Sequence, residues 1–124
     1  EMLVKREQVA NWYASALENV EGVETLFIDK STSRMSWFVY VVRFDKNIDR
    51  DELAQKLIAA GAPVRPYFAP IHLQPYMVEK FGYERGDFPI TEDLGNRSLA
   101  LPFSGVMSKA QVEQVCETIA KLLK

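Results

Sequence analysis

The sequence contains few of the residues on which redox and metal chemistry depend. Of its 124 residues, one is cysteine (Cys116) and one is histidine (His72). An internal disulfide is therefore excluded, and the donor set of a zinc site is missing. No apolar run approaches the roughly 20 residues that a membrane-spanning helix needs, and the chain opens on the charged run EMLVKREQ rather than on a signal peptide. These absences favour a reducing, cytoplasmic setting.

The chain also lacks the sequence signatures of the common catalytic and nucleotide-binding sites. It has no GxGxxG loop, no Walker loop, no GxSxG elbow and no HExxH pair. No lysine lies in an apolar context of the kind that activates a Schiff-base amine. The net charge is −2 with scattered Lys and Arg residues, which argues against nucleic acid as the main partner.

What remains is typical of one soluble globular domain spanning residues 1–124, since 48% of the residues are hydrophobic and 26% are charged. Hydrophobic periodicity and turn residues predict nine elements. In chain order these are helix 2–19, strand 23–28, strand 36–44, helix 49–61, strand 64–68, helix 74–81, helix 90–97, strand 98–102 and helix 108–123. This order predicts an α/β domain, with a small sheet and helices packed mainly on one of its faces.

Local sequence signals refine several of these elements. Strand 36–44 is apolar on both alternating faces, which is typical of a strand buried in the middle of a sheet. Prolines confine strand 64–68 to an edge or make it irregular. Capping boxes are expected at the starts of two helices, and the fourth element is expected to end at a glycine. The residues concerned are Asp49 with Glu52, Ser108 with Gln111, Gly61 as the C-terminal cap, and Leu53, Leu57 and Ile58 as the buried face.

The segment VRPYFAPIHLQP (64–75) is unusually stiff and aromatic, because four of the six prolines lie between positions 63 and 75. His72 could serve in acid–base work or phosphate contact, or it could only cap a turn. Arg65 beside Pro66 suits a carboxylate or phosphate, or a surface ion pair. Tyr67 and Phe68 could line a pocket or belong to the core.

The order and spacing of several short motifs identify a family resemblance that covers nearly the whole chain. These motifs are REQVANWYASAL in the first helix, WFVYVVRF followed by RDEL, the RPYFAPIH segment, the GDFP loop, and SLALPF before the last helix. Together they resemble the carboxy-terminal domain of the DegT/DnrJ/StrS sugar aminotransferases. The resemblance implies a small, mainly antiparallel sheet, as in the C-terminal domain of aspartate-aminotransferase-type enzymes.

The resemblance also implies a function for a longer parent protein. Family members are pyridoxal-phosphate enzymes that mostly transfer an amino group from glutamate to a nucleotide-linked keto sugar, and they act as homodimers. Their cofactor and Schiff-base lysine belong to a large N-terminal domain that this sequence does not contain. This chain would therefore bind no cofactor and carry no catalytic residue. Arg65, His72, Tyr67 and Phe68 are expected to contact the substrate.

Two other functions fit the same elements. One is a stand-alone module of ferredoxin-like type that binds a small metabolite without catalysis. The other is an interaction domain that mediates dimerisation. Either would leave the stiff segment without a role in amino transfer, and the coding sequence upstream of Glu1 would distinguish both from an aminotransferase.

Overall fold

A computed structural model describes all 124 residues of the chain. It contains five α-helices, one short 3-10 helix and four strands. Their bounds are α1 Met2–Leu17, β1 Val23–Thr25, β2 Tyr40–Phe44, α2 Arg50–Ala59, β3 Arg65–Pro66, the 3-10 helix Ile71–Leu73, α3 Pro75–Phe81, α4 Pro89–Arg97, β4 Ser98–Leu101 and α5 Lys109–Leu122. No helix combines the length and the apolar character that crossing a membrane requires.

The four strands form one antiparallel sheet in the order β1-β2-β4-β3. β2 therefore lies between two neighbours, as its apolar sequence predicts, and four of its five residues are buried. The expected strand is wrong over residues 36–39, because Trp37 adopts a φ of +45°, which an extended strand cannot include. β1 is also shorter than expected, and Leu26, Phe27 and Ile28 beyond it are exposed.

The edge position predicted for the proline-containing strand is confirmed. β3 consists of only two residues and pairs with β4 alone, with Arg65 opposite Ala100 and Pro66 opposite Leu99. Pro66 has no N–H group to donate, so a central position would leave a ladder hydrogen bond unmade. The stiff segment thus begins at the rim of the sheet, where its following residues are free to leave the sheet plane.

The core lies between one face of the sheet and the helices α1, α2 and α5. Alternate residues of β2 and β4 point into it, and α1 and α2 both pack against α5. Tyr13 of α1 is fully buried, and its hydroxyl donates to the carbonyl of Pro102 at 2.5 Å. The apolar side chains that are almost completely excluded from solvent are Val9, Leu17, Val42, Phe44, Leu57, Leu99, Val112 and Ile119.

The start of α2 is capped as predicted, but its buried face differs from the expectation. Asp49 accepts from two backbone N–H groups of the first turn, at 3.1 and 2.9 Å. Glu52 does not complete a box, because its carboxylate pairs with Lys56 at 2.7 Å. The expectation that Ile58 belongs to the core is wrong, because Ile58 is 54% exposed and Ala54 takes its place beside the buried leucines.

Two other expectations for helix ends are confirmed. Gly61 has a φ of +87°, and the N–H groups of Gly61 and Ala62 donate to the carbonyls of Ile58 and Leu57 at 3.0 and 2.9 Å. This double bond pattern is a Schellman motif, which a glycine accommodates without strain. At the start of α5, Ser108 and Gln111 form a complete capping box. Both features depend only on neighbouring residues.

Cys116 faces the core from α5 together with Val112, Val115 and Ile119. Its side chain is buried, and burial, reinforced by two nearby glutamates, raises the pKa of the thiol to about 12. A thiol that stays protonated is a poor nucleophile. The structure therefore assigns Cys116 to packing.

The neighbouring residues Leu57 and Ile58 provide a matched test of the α2 face. Leu57→Ala should lower the free energy of unfolding by about 2–5 kcal/mol, because it opens a cavity at a fully buried site. Ile58→Ala should change it by less than about 1 kcal/mol, since more than half of that side chain is already in solvent. Urea unfolding followed by circular dichroism measures both. Equal losses in the two variants would contradict the observed orientation of the helix.

Candidate functional site

The four candidate residues lie along one continuous stretch that runs from the sheet edge into α3. Arg65 on β3 is exposed, Tyr67 is half-buried and Phe68 is 73% exposed. The rings of Tyr67 and Phe68 contact each other, with their centroids 4.7 Å apart. His72 lies on the next turn and is only 6% exposed. The first three side chains thus form an accessible edge, and His72 lies deeper.

Phe68 carries backbone strain at the point where the chain leaves the sheet. Its φ is +56°, a left-handed conformation that costs a bulky residue roughly 1–2 kcal/mol. Its large apolar side chain gains little in return, because most of it remains in solvent. Strained conformations of this kind cluster at ligand-binding and switch sites.

His72 is held by a residue that the sequence did not single out. Its Nε2 lies 2.9 Å from Oε1 of Glu92 on α4, and this same oxygen accepts from the N–H of Gly86 at 2.8 Å. The bond from Gly86 and then the bond from His72 lower the pKa of the Glu92 carboxyl. The ionised carboxylate can only accept hydrogen bonds. We therefore assign the donating proton to Nε2 of His72.

The other ring nitrogen of His72 remains available. Every fully buried side-chain nitrogen or oxygen atom has a hydrogen-bond partner in the structure. Nδ1 of His72 makes no such bond, because the only hydrogen bond of the ring is the one to Glu92. Nδ1 is therefore not among the fully buried atoms, although His72 as a whole is only 6% exposed. The geometry combines an anchored nitrogen on one side of the ring with a free nitrogen on the other.

Aromatic side chains enclose the ring of His72. Its centroid is 4.8 Å from that of Phe88 and 6.4 Å from that of Tyr83, which meets it edge-on. Tyr83 and Phe88 also contact each other, at 5.6 Å. Because these residues come from the loop between α3 and α4, His72 ties that loop to the stiff segment.

The stiff segment rests on α4 at Gly95. A Cβ atom at that position would lie 3.1 and 3.2 Å from the Cδ and Cγ atoms of Pro70, which is closer than ordinary packing contact. The glycine weakens the helical pattern of the sequence, but its lack of a side chain lets the proline ring lie against the helix. α4 is thus the platform under the segment.

Two arginines fix the platform to the rest of the domain. Arg50 of α2 donates to the carbonyls of Gly95 and Ser98 at 2.9 and 2.8 Å. Arg97 donates to the carbonyl of Phe44 at 2.8 Å and pairs through two nitrogens with Asp93. This pairing lowers the pKa of the Asp93 carboxyl. The position of the candidate site is therefore set by helix α2 and by strand β2.

Several large apolar side chains on the elements of this region are exposed. Where such side chains form a contiguous patch, the patch usually marks a surface that binds a partner or a ligand. The exposed apolar residues on the segment, α3, α4 and their connecting loop are Phe68, Ile71, Tyr76, Val78, Phe81, Phe88, Ile90 and Leu94.

The lysine side chains of the chain all lie at the surface. All eight lysines have exposed side chains, whereas a catalytic amine is commonly activated by desolvation or by a neighbouring cation in a pocket. No group of three or more acidic, histidine or cysteine residues is arranged to hold a metal ion. The polar groups at this site, Arg65 and His72, are of the kinds that can contact a ligand through hydrogen bonds.

Comparisons with known proteins agree on one family. The model described as the DegT/DnrJ/EryC1/StrS aminotransferase family matches residues 1–120. The spore coat polysaccharide biosynthesis protein SpsC of Bacillus subtilis is 31% identical over the whole chain, which covers 33% of that protein. A GDP-perosamine synthase of Caulobacter vibrioides is 28% identical over 99% of the chain and 33% of its own length.

Solved structures carry the same fold. An aminotransferase of this group from Brucella abortus is 27% identical, with a TM-score of 0.81 over 98% of this chain and 31% of its own. The DesV enzyme of S. venezuelae, at 24% identity, superimposes with a TM-score of 0.87 over 99% of this chain and 32% of its own. The predicted sheet and helices are thus confirmed, and the chain spans about a third of the length of its relatives.

Because folding lowers the pKa of Glu92, part of the stability of the native state is lost when the pH falls into the acid range. A carboxyl whose pKa falls on folding stabilises the native state above its unfolded pKa of about 4.3, and this contribution is lost as the pH falls through the lower folded value. The wild-type chain should therefore have a higher Tm than Glu92→Gln at pH 7, and the difference should shrink below about pH 4.

Glu79 supplies the control for this comparison, because it is an exposed glutamate on α3 that makes no side-chain hydrogen bond or ion pair. Glu79→Gln should leave Tm unchanged at both pH values. A difference between wild type and Glu92→Gln that stayed constant from pH 7 to pH 3 would show that the ionised carboxylate contributes nothing.

Proposed function

We propose, because this chain belongs to the DegT/DnrJ/EryC1/StrS aminotransferase family, that it is the C-terminal small domain of a sugar aminotransferase. The parent enzyme would use pyridoxal phosphate to move an amino group from glutamate to a nucleotide-linked keto sugar, as a homodimer in the cytoplasm. The chain's coverage of about a third of its relatives supports this placement. The exposure of every lysine supports a cofactor site elsewhere in the longer protein.

The observation that carries the proposal is that Arg65, on the stiff segment, forms no ion pair. Arg65 is exposed and takes part in none of the seven ion pairs that lysine and arginine residues form in the chain. A surface ion pair, its alternative role, is therefore not what holds it. A guanidinium binds two oxygens of a phosphate or carboxylate at once, and β3 fixes the backbone from which it extends.

The neighbouring side chains fit the other parts of such a substrate. Tyr67 and Phe68 offer aromatic faces beside the guanidinium, which suit a nucleotide base or a sugar ring. Nδ1 of His72 makes no hydrogen bond within the chain, so it is available to a polar group of the ligand. In this arrangement the chain's own residues bind and orient the substrate, and the prolines lower the entropy that is lost on binding.

A stand-alone binding or dimerisation module is the second candidate function. The chain has its own core and its own helix caps, so it contains what a separately folding domain needs, and the apolar surface around Phe68 suits a partner. The coding sequence upstream of Glu1 separates the two. About 240 preceding codons, including a lysine that forms an internal aldimine, are expected for the aminotransferase.

The first functional prediction concerns the chain alone. Mixed with pyridoxal phosphate and reduced with borohydride, the 124-residue chain should show no stoichiometric, site-specific adduct by mass spectrometry. Exposed lysines keep ordinary amine reactivity and form only scattered, weak aldimines. The longer protein, treated in parallel, should label on one lysine outside these residues. A single fully occupied lysine within the chain would overturn the proposed division between the domains.

The second functional prediction concerns Arg65 in the longer protein. Arg65→Ala should lower kcat/KM for the nucleotide sugar about tenfold or more, since a charge-assisted contact contributes about 1.5–3 kcal/mol. Arg65→Lys should recover only part of the loss, because an ammonium cannot bind two oxygens in one plane. Tm should stay within about 1 °C in both variants, since an exposed side chain adds little stability.

Lys56→Ala is the control, because it removes an exposed cation from α2, away from the segment. It should leave kcat/KM unchanged. Full activity in Arg65→Ala would contradict the proposal that the stiff segment binds the substrate, regardless of the result for Lys56→Ala.

A further inference from the structure

We propose that Glu92 is a positioning residue for substrate binding, which holds His72 so that Nδ1 faces the ligand as a hydrogen-bond acceptor for a sugar hydroxyl. This assignment rests on the proposed function for the identity of the ligand. The anchoring of the ring stands on the geometry of this chain alone. The relevant contacts join residues 72, 86 and 92, which come from three different segments.

The direction of the hydrogen bonds follows from the chemistry of the groups. One oxygen of Glu92 receives N–H groups from both Gly86 and His72, at 2.8 and 2.9 Å. A carboxylate cannot donate, so Nε2 must carry the proton. A neutral imidazole has only one ring proton, and Nδ1 is consequently left with a lone pair. The carboxylate on one side of the ring thereby sets the hydrogen-bonding character of the other side.

The ring has little freedom to exchange its two nitrogens. Turning it over would break the bond to Glu92, and the rings of Phe88 and Tyr83 border it, with centroids 4.8 and 6.4 Å away. Glu92 as a residue is only 8% exposed, so water cannot easily replace the imidazole as the partner of its carboxylate. The exposed part of His72 is therefore held in one orientation.

An acceptor at Nδ1 selects among the parts of a nucleotide sugar. Phosphate oxygens also accept, so they do not bind a lone pair, whereas a sugar or ribose hydroxyl can donate to it. Arg65 has the opposite character and can only donate. The two residues thus recognise different parts of one ligand, with phosphate at the guanidinium and a hydroxyl at the imidazole.

Nuclear magnetic resonance tests the anchoring directly, because the single histidine of the sequence gives an unambiguous ring signal. In the ¹⁵N-labelled chain at about pH 8.5, two units above an ordinary histidine pKa, we expect a ring N–H proton that exchanges slowly and correlates with Nε2. Nδ1 should show the nitrogen shift of an unprotonated site. A proton on Nδ1, or no observable ring N–H, would overturn the assignment.

Variants of Glu92 show whether this residue is responsible. Glu92→Ala should lose the ring N–H signal, and the Gly86 amide should exchange with solvent about tenfold faster or more, since both donors lose their acceptor. Glu92→Gln keeps an acceptor oxygen, so it should retain the ring N–H signal at an upfield position. If the alanine variant does not fold, this shift tests the role of Glu92. Glu79→Gln should leave the spectrum unchanged. An unaltered ring signal in Glu92→Gln would refute the role of the carboxylate.

Kinetics in the longer protein test the consequence for the ligand. Glu92→Gln should raise KM for the nucleotide sugar about fivefold, the difference between a charged and a neutral hydrogen bond. In Glu92→Gln, the half-reaction with the amino donor should keep its rate. In the control Glu79→Gln, both half-reactions should keep their rates. If the ring signal behaves as expected but both half-reactions are unchanged, Glu92 positions His72 without serving the sugar. If no amino transfer occurs at all, the proposed function fails and the anchoring stands.

Discussion

The candidate site depends on the packing of the proline-rich segment against α4. Prolines lack the N–H groups with which a chain normally fixes itself, so the segment cannot hold its own position through a ladder of backbone bonds. Two contacts replace the ladder. The ring of Pro70 lies against Gly95, and the Glu92 carboxylate accepts a hydrogen bond from the Nε2–H group of His72. Both contacts come from one face of a nine-residue helix, so the geometry of the exposed edge is set from beneath.

The platform in turn takes its position from the core. β4 follows α4 without an intervening loop, and β4 pairs with the central strand β2. Arg50 donates to the carbonyls of Gly95 and Ser98, and Arg97 donates to the carbonyl of Phe44 at the end of β2. A rigid connection therefore runs from the packed sheet through α4 to the side chains at the surface, which is how a scaffold holds a binding group at low entropic cost.

The sequence predicted the parts of this connection that are local. Helix caps at Asp49, Ser108 and Gly61 need partners only a few residues away, and their signals stand in the sequence itself. The bond between His72 and Glu92 joins residues 20 positions apart in the chain, and no periodicity or spacing relates them. Ile58 shows a second limit of prediction from sequence. Residues 53, 54 and 57 form the complete buried face of α2, so Ile58 next to them points to solvent. The conformation of Trp37 has no sequence signal, since tryptophan is common in strands.

Phe68 shows why the exposed edge is better explained by binding than by the stability of this chain. Its left-handed backbone costs free energy, and its exposed ring returns little of it by burial. The apolar residues nearby, including Ile71 and Tyr76, also lie mostly in solvent. Beneath them, the polar groups are paired and the helix packs closely. The outer surface thus combines a strained backbone with exposed apolar side chains, whereas the layer beneath it is hydrogen-bonded and closely packed. This combination favours a surface that a binding partner covers. Contact with a ligand or with the rest of a longer protein would supply the burial that these side chains lack.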